Sequence, residues 1–257
     1  MNYYYPLDVN SPSKAVWVLD ALSNTDKHKT IIRDYKVQNG TNVVWGLGKG
    51  NFDVVKNSKQ YVFTDMPYWN RWMGNRAECY WRIIPNALHC NWITDRPNDR
   101  FNMLNITLKD ERKTGKHILV CPSSSTVERF YNISNWTKHT VDELKKHTDR
   151  PIKIRNKPRA NGTSGPLAAT IPFEEDVKDA WAVVTSVSIA GVEAMCLGVP
   201  VFCHPASPVA PVGNLDLSKI ESPQFNRLNM WLNNLAYYQY NETELKQGLF
   251  NDCILPQ

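Results

Sequence analysis

Apolar positions along the chain fall into short runs, most of them strand-like, separated by segments rich in Gly, Pro, Asn and Ser. The first helical stretch is 15–22, which follows the Ser11-Pro12-Ser13 turn and has Ser13 placed as its N-cap. Thr41–Trp45 and 61–63 are β-branched and aromatic, are bounded by Asn39-Gly40 and by the 46–50 glycine stretch, and read as strands. His117–Cys121 reads as a strand entering Pro122-Ser123-Ser124-Ser125, followed by a helix over 137–147. Another strand over 151–154 leaves through Arg155-Asn156-Lys157-Pro158.

The most regular unit comes next: a strand at 180–184, the turn Thr185-Ser186-Val187-Ser188, a helix over 189–197, Gly198, and a strand at 199–202. Loops this short make a right-handed parallel crossover the expected connection, and Gly198 suits the position just past the helix end. The tail predicts helices over 227–238 and 242–249, the last begun by Asn241 or Glu242. The polar stretch 96–116, with its Pro-Asn-Asp and Lys-Thr-Gly breaks, separates two regions of alternating strands and helices. The expectation is two α/β lobes, 1–112 and 113–257.

Composition narrows the function classes. With 42% hydrophobic and 21% charged residues in 257, the chain is of globular rather than disordered type. No apolar run approaches the roughly 18 residues of a membrane span, and the first residues lack the basic start and apolar core of a secretion signal. A cytoplasmic protein without a membrane partner is therefore expected. The six cysteines form no CxxC pair, so buried reduced thiols are expected in place of a zinc site or disulfide framework. A net charge of +5 permits a polyanionic partner without requiring one.

The candidate chemistry centres on the segment from Val183 to Val201. A helix that begins just after Ser186 and Ser188 turns unsatisfied amides and its positive dipole end toward the preceding loop, a site suited to phosphate oxygens. Ala190, Gly191 and Ala194 are small and recur at helical spacing, which lets the helix sit close to a sheet. Glu193 falls on another face, where a carboxylate can accept hydrogen bonds from ribose hydroxyls. Taken singly, a serine-rich turn is equally an N-cap and a glutamate equally a solvated side chain.

The order Glu-Ala-Met-x-x-Gly-x-Pro-Val, Glu193 to Val201 here, resembles the nucleotide-binding segment of the C-terminal lobe of GT-B glycosyltransferases. The resemblance implies two Rossmann-like lobes with parallel sheets and an interlobe cleft, Glu193 on the ribose and the helix start on the diphosphate. Retaining members often carry a second glutamate eight residues earlier; Thr185 stands there, which argues against the double-glutamate subgroup and leaves the stereochemistry open. Cys121-Pro122-Ser123-Ser124-Ser125 with Glu128-Arg129-Phe130-Tyr131, Thr148 to Pro158, and Asp216 to Pro223 followed by Arg227-x-x-x-Trp231-Leu232 resemble glycosyltransferase-like proteins of tailed phages. The donor side implied by the resemblance comprises Ser123, Arg155, Lys157, Thr185, Ser186, Ser188 and Glu193, with the two basic side chains neutralising a diphosphate leaving group; either is equally a surface charge. No cofactor is expected beyond a nucleotide-diphosphate sugar as co-substrate, a UDP-sugar for preference, and no metal, since cationic side chains and the helix end take its place.

In the N-terminal region, Asp65 directly follows a strand and so stands at the carboxyl edge of a sheet, where ligands of open α/β sheets bind. It is the expected general base, with Tyr68, Trp69 and Arg71 on the acceptor; the other reading makes Asp65 a turn cap and the aromatics core. Gly46-Leu47-Gly48-Lys49-Gly50 lacks the P-loop spacing, and the GT-B resemblance offers it a place approaching the donor across the cleft. His89 reads as a structural histidine; His204, which follows a strand, reads as structural or as facing the cleft.

The expected function is transfer of a sugar to an acceptor hydroxyl. The phage resemblance, in a basic and aromatic-rich chain of host-cytoplasmic location, points to a hydroxymethylated pyrimidine of double-stranded DNA as acceptor, flipped out and stacked on rings such as Trp69, Trp72 and Trp81, with Arg71, Arg76 and Arg82 on phosphates. Two alternatives stay open: a nucleotide-sugar epimerase on the same scaffold, and a non-catalytic protein that binds sugar nucleotides or DNA.

Overall fold

A computed structural model of the chain describes residues 1–7, 13–48, 50–71, 78–156 and 172–251. Lys49, Trp72, Arg76 and Lys157 lie outside these. In chain order the elements are β1 (Asn2–Tyr4), α1 (Lys14–Leu22), β2 (Thr30–Ile32), β3 (Thr41–Trp45), α2 (Asn51–Asn57), β4 (Gln60–Asp65), β5 (Tyr80–Pro85), α3 (Asp99–Met103), β6 (His117–Cys121), α4 (Ser125–Phe130) and α5 (Trp136–Leu144). They continue with β7 (Ile152–Ile154), α6 (Phe173–Asp176), β8 (Ala180–Thr185), α7 (Ala190–Cys196), β9 (Val201–Cys203), α8 (Asn229–Ala236), β10 (Gln239–Asn241) and α9 (Glu242–Gln247).

The chain forms two compact units. Unit 1 comprises Met1–Cys90, Arg96–Leu104 and Asn233–Gln257; unit 2 comprises Asn91–Asp95 and Asn105–Leu232. The linear division expected from the sequence differs at the tail, because β10 pairs antiparallel with β5, setting Tyr240 opposite Trp81. Arg100 on α3 then clamps the Glu244 carboxylate of α9 with two bonds, at 2.9 and 3.1 Å, and donates to the Gln239 carbonyl at 2.7 Å. The last helix is therefore held in unit 1 by a sheet edge and a bidentate ion pair.

Unit 1 is built on a six-stranded sheet in the order β10-β5-β4-β3-β1-β2, parallel from β2 through β4 and antiparallel at β5 and β10. Its core gathers Tyr3, Leu19, Leu22, Val43, Val62, Trp81, Ile83, Tyr240 and Phe250. Helix α1 starts where expected, with the Ser13 hydroxyl accepting from the Val16 amide at 3.4 Å. Helix α9 starts with a full capping box between Asn241 and Glu244.

Unit 2 is built on a four-stranded, wholly parallel sheet, β7-β6-β8-β9. All five residues of β6 are buried, as a central strand covered on both faces demands. Ile118, Val120, Ala182, Val184 and Phe202 carry the core. Helix α7 approaches β8 closely enough that a Cβ on Gly191 would come within 2.9 Å of Val209 Cγ2 and 3.1 Å of Thr185 Cγ2. The helix ends in a Schellman turn: Val199 bonds back to Ala194 at 2.9 Å and Gly198 to Met195 at 3.2 Å, with Gly198 at φ +76°.

Candidate functional site

Ligands of open parallel sheets sit beyond the carboxyl ends of the strands, and in unit 2 four loops leave that edge. The loop after β6 carries Ser123, the loop after β7 carries Arg155, the loop after β8 carries Ser186 and Ser188, and the loop after β9 carries His204.

Two of the loops are bolted together. The Ser186 hydroxyl donates to Ser123 Oγ at 2.7 Å and accepts from the Ser123 amide at 3.0 Å, while Ser123 Oγ accepts from the Val187 amide at 3.1 Å. Thr185 adds a bond from its hydroxyl to the Cys121 carbonyl at 2.7 Å. Thr185 and Ser186 are fully buried, so the serine expected to donate to a ligand spends its proton on the neighbouring loop. What the lock presents outward is the start of α7. Ser188 Oγ accepts from Ala190 at 3.2 Å, and among the described residues the amides of Ser188 and Ile189 have no protein acceptor.

Two charged side chains act at the end of β6. The Arg155 guanidinium, 11% exposed, is paired with Asp176 and lies 5.5 Å from the Phe173 ring centroid. Its backbone amide joins the sheet through Val120 O at 2.9 Å. Glu193 on α7 is half-buried. Burial pushes the Cys121 thiol up to about 12, with Arg155 pulling down and Glu193 pushing up. Both charges therefore reach the same end of β6.

His204 belongs to the same edge. Its amide donates to Ser186 O at 3.2 Å, its ring stands 5.9 Å from that of Tyr131, and burial holds it below the ordinary histidine value. Nδ1 accepts from the Ala206 amide at 3.1 Å, so the neutral ring carries its proton on Nε2, a donor. The sequence left this histidine between a structural role and a place facing the cleft. The signal available was its position one residue beyond a strand. Asp176 and Phe173 carried none, since neither lies in a motif.

The acceptor-side residues belong to unit 1. Asp65 ends β4, 38% exposed, with Oδ1 accepting from the Met66 amide at 2.7 Å and Oδ2 facing Arg82 at 3.4 Å. Arg82 is its cross-strand neighbour and is itself buried between the Phe63 and Tyr68 rings. Tyr68 and Trp69 are core residues, 1% and 6% exposed. Their amides bond Gln239 Oε1, the Tyr68 hydroxyl accepts from Cys90, and the Trp69 ring packs edge-on against Phe101. Trp81 is equally buried, and Arg71 is half-buried.

Cys79, Cys90, Cys121, Cys196 and Cys203 are buried and outside any disulfide. Among the described residues no group of three His, Cys, Asp or Glu side chains is placed to hold a metal ion, and no helix is long and apolar enough to cross a membrane.

Two open α/β units, one with a wholly parallel sheet, give a GT-B-like fold. Among solved structures, KpsC of Thermosulfurimonas dismutans, in its beta Kdo 2,4 transferase, matches with a TM-score of 0.51 at 12% identity, over 92% of this chain and 93% of that one. The beta Kdo 2,7 transferase of the same organism's KpsC gives 0.49 at 14% identity, over 98% and 99%. At 12% identity the first of these likenesses is one of fold. No family model and no curated protein matches the chain.

Proposed function

We propose that the chain is a glycosyltransferase that takes a nucleoside diphosphate sugar, a UDP-sugar for preference, at the carboxyl edge of the unit 2 sheet. The observation that carries the reading is the Ser123–Ser186–Val187 lock. It joins two adjacent parallel strands and leaves the Ser188 and Ile189 amides to meet diphosphate oxygens, while Arg155 and Glu193 both act on Cys121 at the end of β6. Arg155 neutralises charge on the leaving diphosphate, His204 Nε2 donates to it, and Glu193 takes the ribose hydroxyls.

In the transfer step the acceptor oxygen attacks the anomeric carbon and gives its proton to Asp65. The bond from that carbon to the diphosphate breaks, and nucleoside diphosphate leaves. Such a single displacement inverts the anomeric centre. Charge stabilisation by amides and Arg155 lets the step run without a metal, so activity is expected to survive EDTA.

For the acceptor, a hydroxymethylated pyrimidine of DNA remains the reading that net charge and the phage resemblance favour, with host cytoplasm as its place. The core positions of Tyr68 and Trp69 weigh against their stacking a flipped base. The fold likeness to a Kdo transferase supports a second reading, in which the sugar moved is Kdo.

Calorimetric titration with UDP-, GDP- and ADP-sugars and nucleotide-activated Kdo tests the donor half. One donor is expected to bind, at least tenfold more weakly in Arg155→Ala and Glu193→Ala. Slow release of nucleoside diphosphate is expected in the wild type and lost in Asp65→Ala. Absence of binding to every donor would overturn the reading, and binding without turnover would reduce it to a non-catalytic sugar-nucleotide protein. Sugar on hydroxymethylated but not plain DNA would establish the acceptor.

A further inference from the structure

Unit 1 contains a crevice that the donor reading leaves unused. In its sheet, β1 lies between β2 and β3. The chain leaves β1 toward β2 on one side, whereas β3 continues to β4 on the other, so the direction of winding reverses between β1 and β3. Open α/β sheets bind ligands at such a reversal, outside the carboxyl ends of the two strands. A crevice of about 410 Å³ opens at that point, lined by Tyr4 at the end of β1, Trp45 at the end of β3, Lys14 at the start of α1 and Asn51 at the start of α2. Its size lies within the roughly 300–1,000 Å³ usual for small-molecule sites.

The walls are aromatic and held in place. Trp45 rests edge-on against Trp81 with ring centroids 5.4 Å apart. The Tyr4 hydroxyl is fixed by Asn42 at 3.0 Å and Lys36 O at 2.9 Å. Tyr35 adopts φ +55°, a left-handed conformation that costs a residue with a side chain about 1–2 kcal/mol. Its ring lies on Gly50, where an added Cβ would come within 2.8 Å, so the strain is spent holding an aromatic face at the crevice. Gly46 and Gly48 also line the space, and a Cβ built on either meets nothing within 4 Å.

One polar group in this lining is unsatisfied. Asn51 is 6% exposed, and its Nδ2 donates to Trp45 O at 2.7 Å, which fixes the orientation of the amide. Its Oδ1 is buried with no hydrogen-bond partner. A buried amide oxygen without a donor costs about 1–3 kcal/mol and calls for an O–H or N–H from a ligand. Lys14, at the same crevice with its Nζ 4.0 Å from Met66 Sδ, adds a positive charge.

We propose that this crevice is a second ligand site, taking a single sugar ring: the C–H faces of the ring lie on Tyr35 and Trp45, a ring hydroxyl donates to Asn51 Oδ1, and an acidic substituent is favoured by Lys14. The site lies within unit 1 and does not depend on the donor reading.

The test is NMR titration of the full chain with methyl glycosides of glucose, N-acetylglucosamine and glucuronic acid, and with thymidine and adenosine. The Trp45 indole signal, assigned by its absence in Trp45→Phe, is the readout. At least one glycoside is expected to shift that signal, glucuronide at the lowest concentration. Gly48→Leu fills the open space and is expected to weaken the binding at least tenfold with an unchanged melting temperature, whereas Arg155→Ala, which impairs the donor site, leaves it intact. No glycoside shift at Trp45, a shift that survives Gly48→Leu, or a shift produced by the nucleosides alone would each overturn the proposal. Should Gly48→Leu fold poorly, Lys14→Ala supplies the second reading, with glucuronide weakened at least threefold relative to the neutral glycosides.

Discussion

Ser186 shows how a residue chosen for one task can be structurally committed to another. Its hydroxyl is both donor and acceptor toward Ser123, 63 residues away in the chain, at 2.7 and 3.0 Å and without exposed surface. Ser186→Ala removes the partner of the amide and of the hydroxyl of half-buried Ser123 together, so a loss of about 1–3 kcal/mol in urea unfolding is expected. Ser188→Ala removes only the bond to the Ala190 amide from a half-buried side chain, and about 0.5–1 kcal/mol is expected. The ordering of the two losses is the discriminating result, because two serines that merely faced a ligand would be nearly equal in stability. The sequence supplied both residue numbers but not their bond, which exists only because β6 and β8 are neighbours in the sheet.

Among the elements, what the sequence disclosed tracks the range of the interactions that make them. Helix α1 with its Ser13 cap, Gly198 and the Asn241 cap depend on contacts a few residues apart, while the strands at Thr41–Trp45 and His117–Cys121 pair at long range but are marked by β-branched and apolar runs; all stand where the pattern predicts them. Missing from any local pattern were β5, whose partners are β4 and β10, and the Arg100–Glu244 pair that returns the tail to unit 1. The small residues of α7 were legible through their spacing, and their purpose is testable. Gly191→Ala must displace Val209 and Thr185 side chains that would stand 2.9 and 3.1 Å from the new Cβ, a crowding expected to cost about 1–3 kcal/mol. Gly198→Ala is expected to cost more, since its φ of +76° is strained for alanine and the Cβ would fall 1.9 Å from the Asp110 carbonyl oxygen. Urea midpoints of the two variants check the order. Arg100→Ala leaves the Glu244 carboxylate, 12% exposed, without its clamp, and about 2–4 kcal/mol is expected to be lost.

At the scale of the molecule, stability carries a pH dependence that two histidines set. His117 at the start of β6 is 4% exposed, its Nε2 has no hydrogen-bond partner, and burial together with Lys153 and Arg112 holds its pKa below the ordinary value. Burial does the same to His204 at the carboxyl edge of that sheet. Both rings are therefore neutral in the folded chain at pH values where the unfolded chain already binds their protons. Unfolding then takes up protons, and stability falls as pH drops below about 6.5, reaching its plateau above that value. Carboxylates held low by partners, such as Asp216 bonded to the Ser218 hydroxyl and amide, lose their contribution only below about pH 4. A decline between pH 7 and pH 5 thus belongs to the histidines. Urea unfolding across that interval is expected to show a falling midpoint in the wild type and a shallower fall in His117→Gln, whose side chain stays neutral throughout. Because His204 stands beside the Ser188 turn, its protonation adds positive charge where the proposed diphosphate binds. Donor affinity is therefore expected to rise over the same pH range in which the fold weakens, and a His204→Gln variant that keeps the wild-type rise would remove His204 from the donor site.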